Sequence, residues 1–547
     1  MKEPGQLTHG HSPGQACHFR AIPAGCLLVA AALTILACFA VHAFPATEAR
    51  NPAQSHADLG LQLARQGDLV RAESELRQAA QLAPADPEIL AAWGTVLAMQ
   101  NKLEESSQVF QTTLALSPHD MTVRRYLAAN LWQLHRYPEA KQNLKILLAE
   151  KPNDGPARLL FGMVSENLKD YATAARMLAS VPQQVRQQVE SIEALARSYY
   201  HLGQTGKARA TLAELSDHPA AGQAVFAGAK IADEMRDYET AQKMLLSIAS
   251  TYPDPATLGY QLASVQYHAG RFEDSQSTLL GVIAAGNASA PIYNLLGWSY
   301  YRQTQPGKAV AALHRAIELA PEEEVNYQDL GTILVAERLL PAALELARKA
   351  TTVFPNSADT FELQGSIEAK MRQFADARRS YSRAVELDAT RPDGLLGLAQ
   401  AQFASGNRKQ AIDSLEAGVK RFPRDSRFPV LYASVLLKEA ETSGSQVDRR
   451  VEEMLRSALA LDPTLPGVHY ELGKLALNAG RLPEALEHLQ KAAALDPQST
   501  ETHFALSRAY RRAGNRQAAA QQMEIFEKLQ RTETPMEMPP PEPETRN

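Results

Sequence analysis

The sequence predicts an all-α fold, an α-solenoid of about fourteen stacked helical hairpins. Three observations predict it: a 34-residue pattern recurs along the chain, each copy holds two apolar stripes with helical spacing, and one position of the pattern is always small. For a chain of 547 residues this repetition replaces the usual expectation of several compact domains, because each hairpin of a solenoid packs mainly against its neighbours.

The stretch 290–323 shows the repeating unit most clearly. In its first half, side chains one helical turn apart form one face: Tyr293, Leu296, Gly297 and Tyr300. This spacing predicts a helix from Ala290 to Arg302. After the polar turn 303–307, the same spacing returns at Ala309, Leu313 and Ala316, and Pro321 lies where the second helix must end. Neither helix can bury its stripe alone, so neighbouring hairpins are required.

The same frame can be laid along most of the chain. Its copies start at 53, 87, 121, 155, 189, 222, 256, 290, 324, 358, 392, 426, 466 and 500. The eighth frame position is small in all fourteen copies: Gly60, Gly94, Ala128, Gly162, Ala196, Ala229, Ala263, Gly297, Gly331, Gly365, Ala399, Ala433, Gly473 and Ser507. At the twentieth position alanine recurs at 72, 140, 174, 208, 241, 309, 343, 377, 411, 485 and 519. We predict that both positions are packing contacts between helices.

These positions resemble the tetratricopeptide repeat family, with its W-x-x-L-G-x-x-Y, A-x-x-x-F-x-x-A and terminal proline pattern, over residues 53–533. The resemblance implies a right-handed superhelix whose concave face is lined by the first helix of each hairpin, chiefly at frame positions 2, 5, 9, 12 and 13. In the repeats from 189 to 323 those positions carry large amphipathic side chains, predicted to bind a partner: Tyr200, His201, Lys230, Tyr260, Tyr267, His268, Asn294, Trp298, Tyr301 and Arg302. The alternative is that these rings only pack between adjacent hairpins.

Two stretches depart from the frame. Val181-Pro182 interrupts the second helix of the fourth repeat, so we expect a polar connecting segment, 183–189, and a bend or looser stacking there. The repeat that starts at 426 is six residues longer than the frame, and we assign the extra residues to a lengthened loop at 441–446. After the array, the Pro- and Glu-rich tail 534–547 is predicted to be extended and disordered.

The N-terminal sequence predicts that the repeats lie outside the cytoplasm. A polar segment, 1–20, precedes an uncharged apolar run, 21–44, whose length of about 20 residues is enough to cross a bilayer. A membrane anchor with the repeats in the periplasm or cell envelope is favoured. The alternative is a signal sequence cleaved near Ala43, which would leave a soluble exported protein. All three cysteines, Cys17, Cys26 and Cys38, lie in this leader, so the repeats have no disulfide and no thiolate metal site.

No stretch of the sequence carries catalytic or cofactor-binding chemistry. Phosphate-loop, zinc-hydrolase and nucleophile-elbow motifs are missing, so no enzyme, cofactor or metal is predicted. A formal charge of −5, from 56 basic and 61 acidic residues, argues against nucleic acid. We therefore expect a non-enzymatic, membrane-anchored or exported scaffold that binds protein or peptide segments, in the assembly of an envelope or secretion complex. The alternative is a carbohydrate-handling subunit of a polysaccharide export or biosynthesis system, because aromatic grooves also bind sugar rings.

Overall fold

The computed structural model describes residues 51–218, 220–443, 446–447 and 449–533, which are α-helical with short connections and contain no strand. The chain divides into two compact units between Gln305 and Pro306. The predicted polar segment 1–20, the apolar run 21–44 and the tail 534–547 lie outside the described residues. Within the described ranges, no helix combines the length and the apolar character needed to cross a bilayer.

The first unit is a series of helical hairpins. Its helices are α1 (Pro52–Arg65), α2 (Leu69–Leu82), α3 (Pro87–Met99), α4 (Leu103–Leu116), α5 (Met121–Gln133), α6 (Tyr137–Glu150), α7 (Gly155–Asn167), α8 (Tyr171–Ala179), α9 (Pro182–Arg186), α10 (Val189–His201), α11 (Thr205–Ala213), α12 (Ala221–Glu234), α13 (Tyr238–Ser247), α14 (Pro255–His268), α15 (Phe272–Ala284) and α16 (Ala290–Arg302). A 3-10 turn, Glu214–Asp217, extends α11.

The second unit has the same construction. Its helices are α17 (Pro306–Leu319), α18 (Glu324–Ala336), α19 (Leu340–Val353), α20 (Ala358–Lys370), α21 (Phe374–Leu387), α22 (Pro392–Ala404), α23 (Arg408–Arg421), α24 (Arg427–Ser443), α25 (Arg449–Leu461), α26 (Pro466–Asn478), α27 (Leu482–Leu495), α28 (Thr500–Arg512) and α29 (Arg516–Glu533). In both units the first helix of every hairpin begins within one residue of its frame start, which confirms the predicted repeat.

The small residues at the eighth frame position are packing contacts, as predicted, and all fourteen are buried. At four of them a Cβ atom built on the glycine would lie closer than 3.0 Å to a side chain of the hairpin's second helix. These contacts are Gly60 with Leu76 at 2.7 Å, Gly94 with Phe110 at 2.6 Å, Gly162 with Leu178 at 2.5 Å and Gly473 with Leu489 at 2.6 Å. The two helices therefore approach so closely that only a hydrogen atom fits between them.

The turn between the two helices of a hairpin also repeats. Frame position 15 has a positive φ in thirteen of the fourteen copies, at residues 67, 101, 135, 169, 203, 236, 270, 304, 338, 372, 406, 480 and 514. Six of these residues are glycine and seven are not, and each of the seven stores about 1 kcal/mol of backbone strain. In several copies an aspartate follows and caps the second helix: Asp68 accepts from Arg71 N at 3.1 Å, and Asp170 accepts from Thr173 N at 3.3 Å.

The irregular fourth repeat differs from the expectation of a polar connecting segment. The short helix α9 occupies most of that segment. Pro182 takes its first position, where a missing N–H costs nothing, and Val181 and Val185 bury one turn apart in a cluster with Leu178 and Leu195. The interruption is thus filled by a helix that contributes to the core.

The extra residues of the repeat at 426 are also only partly a loop. Helix α24 continues to Ser443, so the assignment of Glu441 to a loop is wrong. Lys438 pairs with Glu441 one turn later at 3.0 Å, and the Thr442 hydroxyl donates to the Lys438 carbonyl at 3.0 Å. The sequence offers no helix breaker before Gly444, which explains the longer helix.

Candidate partner-binding surface

The ten predicted binding residues lie on four first helices of the first unit. Tyr200 and His201 end α10, and Lys230 is on α12. The remainder are on α14 and α16: Tyr260, Tyr267, His268, Asn294, Trp298, Tyr301 and Arg302. The structure separates them into residues used for packing and residues that remain on the surface.

Tyr200 and Asn294 belong to the packing. The Tyr200 hydroxyl donates to Oδ2 of the buried Asp237 at 2.8 Å, and Arg209 Nε donates to the same oxygen at 2.7 Å. Burial and the bond to Asp237 raise the pKa of Tyr200. Burial acts to raise the pKa of Asp237, but the bonds from Arg209 and Tyr200 outweigh it and hold that pKa below its usual value. Asn294 is only 5 % exposed and offers little surface to a partner.

Side chains from two successive hairpins meet around Phe272, and a third hairpin joins them through His268. The Tyr267 ring contacts the Phe272 ring edge-on with centroids 5.3 Å apart, and the Arg302 guanidinium lies over the Phe272 ring at 4.8 Å. His268, beside Tyr267, has its Nδ1 atom 2.9 Å from Asp233 Oδ1 on α12. Tyr267, His268 and Arg302 are thereby fixed in position, while each keeps part of its surface open to solvent.

Trp298 and Tyr301 form a second aromatic contact on α16. Their rings meet edge to face, with centroids 6.0 Å apart and planes at 80°, and both rings stay partly exposed. Tyr260 is also partly exposed, and Lys230 is exposed. His201 is exposed and stacks on Tyr171 at 4.0 Å. We define the aromatic surface as Tyr267, Trp298, Tyr301 and Arg302.

The prediction missed acidic residues at the same frame positions. Glu193 is at position 5 of its repeat, and Glu166 and Asp233 are at position 12 of theirs. Burial raises the pKa of Glu193, and Arg197 opposes this, but the carboxylates of Glu190, Glu234 and Glu166 raise it further. Arg197 Nε donates to Glu166 Oε1 at 2.8 Å. The prediction includes only aromatic, basic and amide residues at these positions, whereas the same positional rule extended to every residue type also includes the acids.

The arrangement consists of side chains of the types that form protein interfaces. Rings and a guanidinium supplied by two neighbouring hairpins provide flat apolar area and directed hydrogen-bond donors. Among the described residues, no three His, Cys, Asp or Glu side chains come together as a metal site would need.

Comparison with known proteins gives partial similarities. The human protein O-mannosyl-transferase TMTC1 is 26% identical over 154 residues, which are 27% of this chain and 18% of that protein. The putative cellulose synthase operon protein C of Escherichia coli O157:H7 is 23% identical over 254 residues, 45% of this chain and 22% of that protein. Each match thus spans about a fifth of the relative's length. The crystal structure of yeast Tom70 aligns with 87% of this chain and 92% of its own at 15% identity and a TM-score of 0.35.

Family models described as tetratricopeptide repeat match five stretches of the chain: 53–78, 193–214, 290–323, 369–433 and 466–499. These stretches are spread from the first hairpin to the thirteenth. The hairpins between them share the buried small position, and all but the one that starts at 426 share the turn. The chain belongs to the tetratricopeptide repeat family.

Proposed function

We propose that the protein is a non-enzymatic scaffold that holds protein or peptide segments against the aromatic surface of its first unit. The observation that carries this proposal is the set of partly exposed rings on α14 and α16, which neighbouring side chains hold in place. A side chain already fixed loses little conformational freedom on binding, so more of its contact energy contributes to affinity. Aromatic residues and arginine are also the types that dominate binding energy at protein interfaces.

The proposal includes no transferase activity. The described residues of both units form helical hairpins, and the similarity to the mannosyl-transferase TMTC1 covers 18% of that protein.

A matched pair of variants tests the aromatic surface. Trp298→Ala combined with Tyr301→Ala removes both rings, and Thr332→Ala combined with Val335→Ala changes the same frame positions, 9 and 12, in the next hairpin. A ring that loses its water against a partner contributes about 2 kcal/mol or more, so we expect about thirtyfold weaker recovery of protein partners with the first variant. Quantitative co-purification from the native host measures this recovery. Circular dichroism should show that the helix content and the melting temperature of the variant are unchanged.

Two results would contradict the proposal. Equal weakening by the control variant would show that the aromatic surface has no special part. A large loss of stability in the Trp298 and Tyr301 variant would show that these rings serve packing alone.

We place the scaffold in the cell envelope, with residues 21–44 as its anchor. The support is the uncharged apolar run itself, which is long enough for a bilayer. N-terminal sequencing of protein taken from native membranes tests the anchor: an intact leader is expected, whereas a mature chain that begins at Phe44 would mean a soluble exported protein.

A carbohydrate-handling role is the second candidate. Partly exposed rings can stack on sugars, and 45% of the chain is similar to a protein named for a cellulose synthase operon. Binding of neutral glycans to the full chain, lost on removal of Trp298 and Tyr301, would favour this role over protein binding.

A further inference from the structure

One hydrogen bond recurs inside three hairpins, between frame positions 11 and 23. Thr278 Oγ1 donates to Gln266 Oε1 at 2.8 Å, and Ser414 Oγ donates to Gln402 Oε1 at 2.8 Å. In the hairpin of α20 and α21 the donor is Ser380, at 2.7 Å, but the acceptor is the carboxylate of Glu368. The same structural bond therefore has a neutral acceptor twice and a charged acceptor once.

The charge on Glu368 has no cationic partner. The residue is 2 % exposed; Oε1 accepts from Gln364 Nε2 at 2.8 Å, and Oε2 accepts from Ser380. Both donors are neutral, and across the described residues no Lys, Arg or His forms an ion pair with Glu368. A buried carboxylate without a counter-ion is costly, whereas the glutamine of the other two hairpins would make the same bond without that cost.

Glu368 lines a cavity of about 320 Å³, at the small end of the range for small-molecule sites. Phe361 supplies an apolar wall, and Gln364 and Ser380 line it beside the carboxylate. At the rim, Arg379 pairs with Asp376, so these two charges compensate each other.

The other rim charge is Arg348 of α19, an exposed side chain with no ion-pair partner anywhere in the described ranges. The cavity thus presents two charged groups of opposite sign that form no ion pair among the described residues, a buried carboxylate and a rim guanidinium. A complementary ligand carries a cation at one end and an anion at the other.

We infer that this cavity binds a zwitterionic ligand, with an ammonium or guanidinium group against Glu368 and a carboxylate against Arg348. The ligand is either a free basic amino acid or a peptide segment in which a basic side chain adjoins an acidic one. The site lies in the second unit and does not depend on the aromatic surface.

Calorimetry on the full chain tests the inference with three probes. They are L-arginine, agmatine, which lacks the carboxylate, and the blocked peptide acetyl-Ala-Arg-Asp-Ala-amide. We expect arginine or the peptide to bind, and agmatine to bind more weakly because it leaves Arg348 unpaired. Tighter binding of the peptide identifies a partner segment as the source, and tighter binding of arginine identifies a small molecule.

Three variants test which charged side chains bind the ligand. Glu368→Gln copies the residue of the two neutral hairpins, keeps the bond from Ser380, and should weaken binding about tenfold or more. Arg348→Gln, on the surface, should remove the preference for arginine over agmatine. Glu345→Gln, an exposed acid of the same helix α19 outside the cavity lining, should change nothing. Absence of binding by every probe up to about 10 mM, or binding that Glu368→Gln and Arg348→Gln leave unchanged, would overturn the inference.

Discussion

Helices α16 and α18 are built on the same thirteen-residue frame but present different side chains on the outside. Inside, Leu296 and Leu330 are both buried at frame position 7, and both helices bury a glycine at position 8. Outside, position 9 is Trp298 in one and Thr332 in the other. Position 12 is likewise a ring, Tyr301, against the aliphatic Val335. The close helix contact and the side chains proposed for recognition therefore occupy different frame positions, so positions 9 and 12 can vary while the small residue at position 8 is kept.

The largest expected effect tests the buried small residue at frame position 8. Gly94→Leu places a side chain where a Cβ alone would lie 2.6 Å from the Phe110 ring, so it should destabilise the hairpin of α3 and α4 by about 1 to 3 kcal/mol. Hydrogen exchange should rise most in that hairpin and its neighbours, since a solenoid is coupled mainly through nearest neighbours.

Gly206→Leu is the matched control, because a Cβ on Gly206 meets nothing within 4 Å and the residue is exposed. We expect no loss of stability there. Similar losses at Gly94 and Gly206 would show that the eighth position is not a special contact.

The turns offer a smaller test, because frame position 15 holds glycine in some copies and other residues elsewhere. Gly67 has φ of 84°, so Gly67→Ala should lower the free energy of unfolding by about 1 kcal/mol. Arg338 has φ of 58° and is exposed, so Arg338→Gly should relieve backbone strain in the folded state. Because glycine also gains conformational freedom in the unfolded chain, the free energy of unfolding should rise by less than about 1 kcal/mol. Chemical denaturation measures both. If both substitutions changed the free energy of unfolding in the same direction, backbone strain at positive φ would not explain the turns.

The smallest effect concerns the last two hairpins. In both, a histidine of the first helix contacts a side chain of the second helix, which is a histidine in one hairpin and a glutamine in the other. His469 Nδ1 lies 3.0 Å from His488 Nδ1, and His503 Nδ1 lies 2.7 Å from Gln522 Oε1. Burial and His469 lower the pKa of His488, and Lys491 acts in the same sense, while Glu487 and Glu484 oppose them.

A histidine with a lowered folded-state pKa binds fewer protons when folded than when unfolded. Its contribution to stability is complete above the unfolded pKa of about 6.5 and is lost as the pH falls below it. Exchange corrected for intrinsic rates should therefore rise in α26 and α27 between pH 7.5 and about 5.5, more than in α28 and α29. His488→Gln, which copies the last hairpin, should abolish the difference; its persistence would assign the effect to other groups.

The sequence predicted those features that repeat with a fixed period. Helix starts and the buried small residue followed from side-chain spacing, because hairpin packing imposes the same restriction on every copy. The seven non-glycine residues with positive φ did not follow, since Thr304 or Arg338 carries no local signal for a left-handed turn and is held there by the flanking helices.

The candidate sites were less predictable for a related reason. Frame position placed Tyr267 and Trp298 on the correct helices, but it could not show that Tyr200 is engaged by Asp237, a partner 37 residues away. Nor could it show that Glu368, in a position that looks like ordinary packing, lines a cavity. Such contacts depend on side chains from neighbouring hairpins, and no single repeat contains them.

Site-specific photo-crosslinking in the native host shows whether the aromatic surface binds a protein partner. A photoreactive phenylalanine analogue is placed at residue 298 of the full chain and, as the control, at residue 332, the same frame position in the next hairpin. We expect a discrete crosslinked protein at residue 298 and little or none at residue 332. Equal crosslinking at both residues, or none at residue 298, would contradict it.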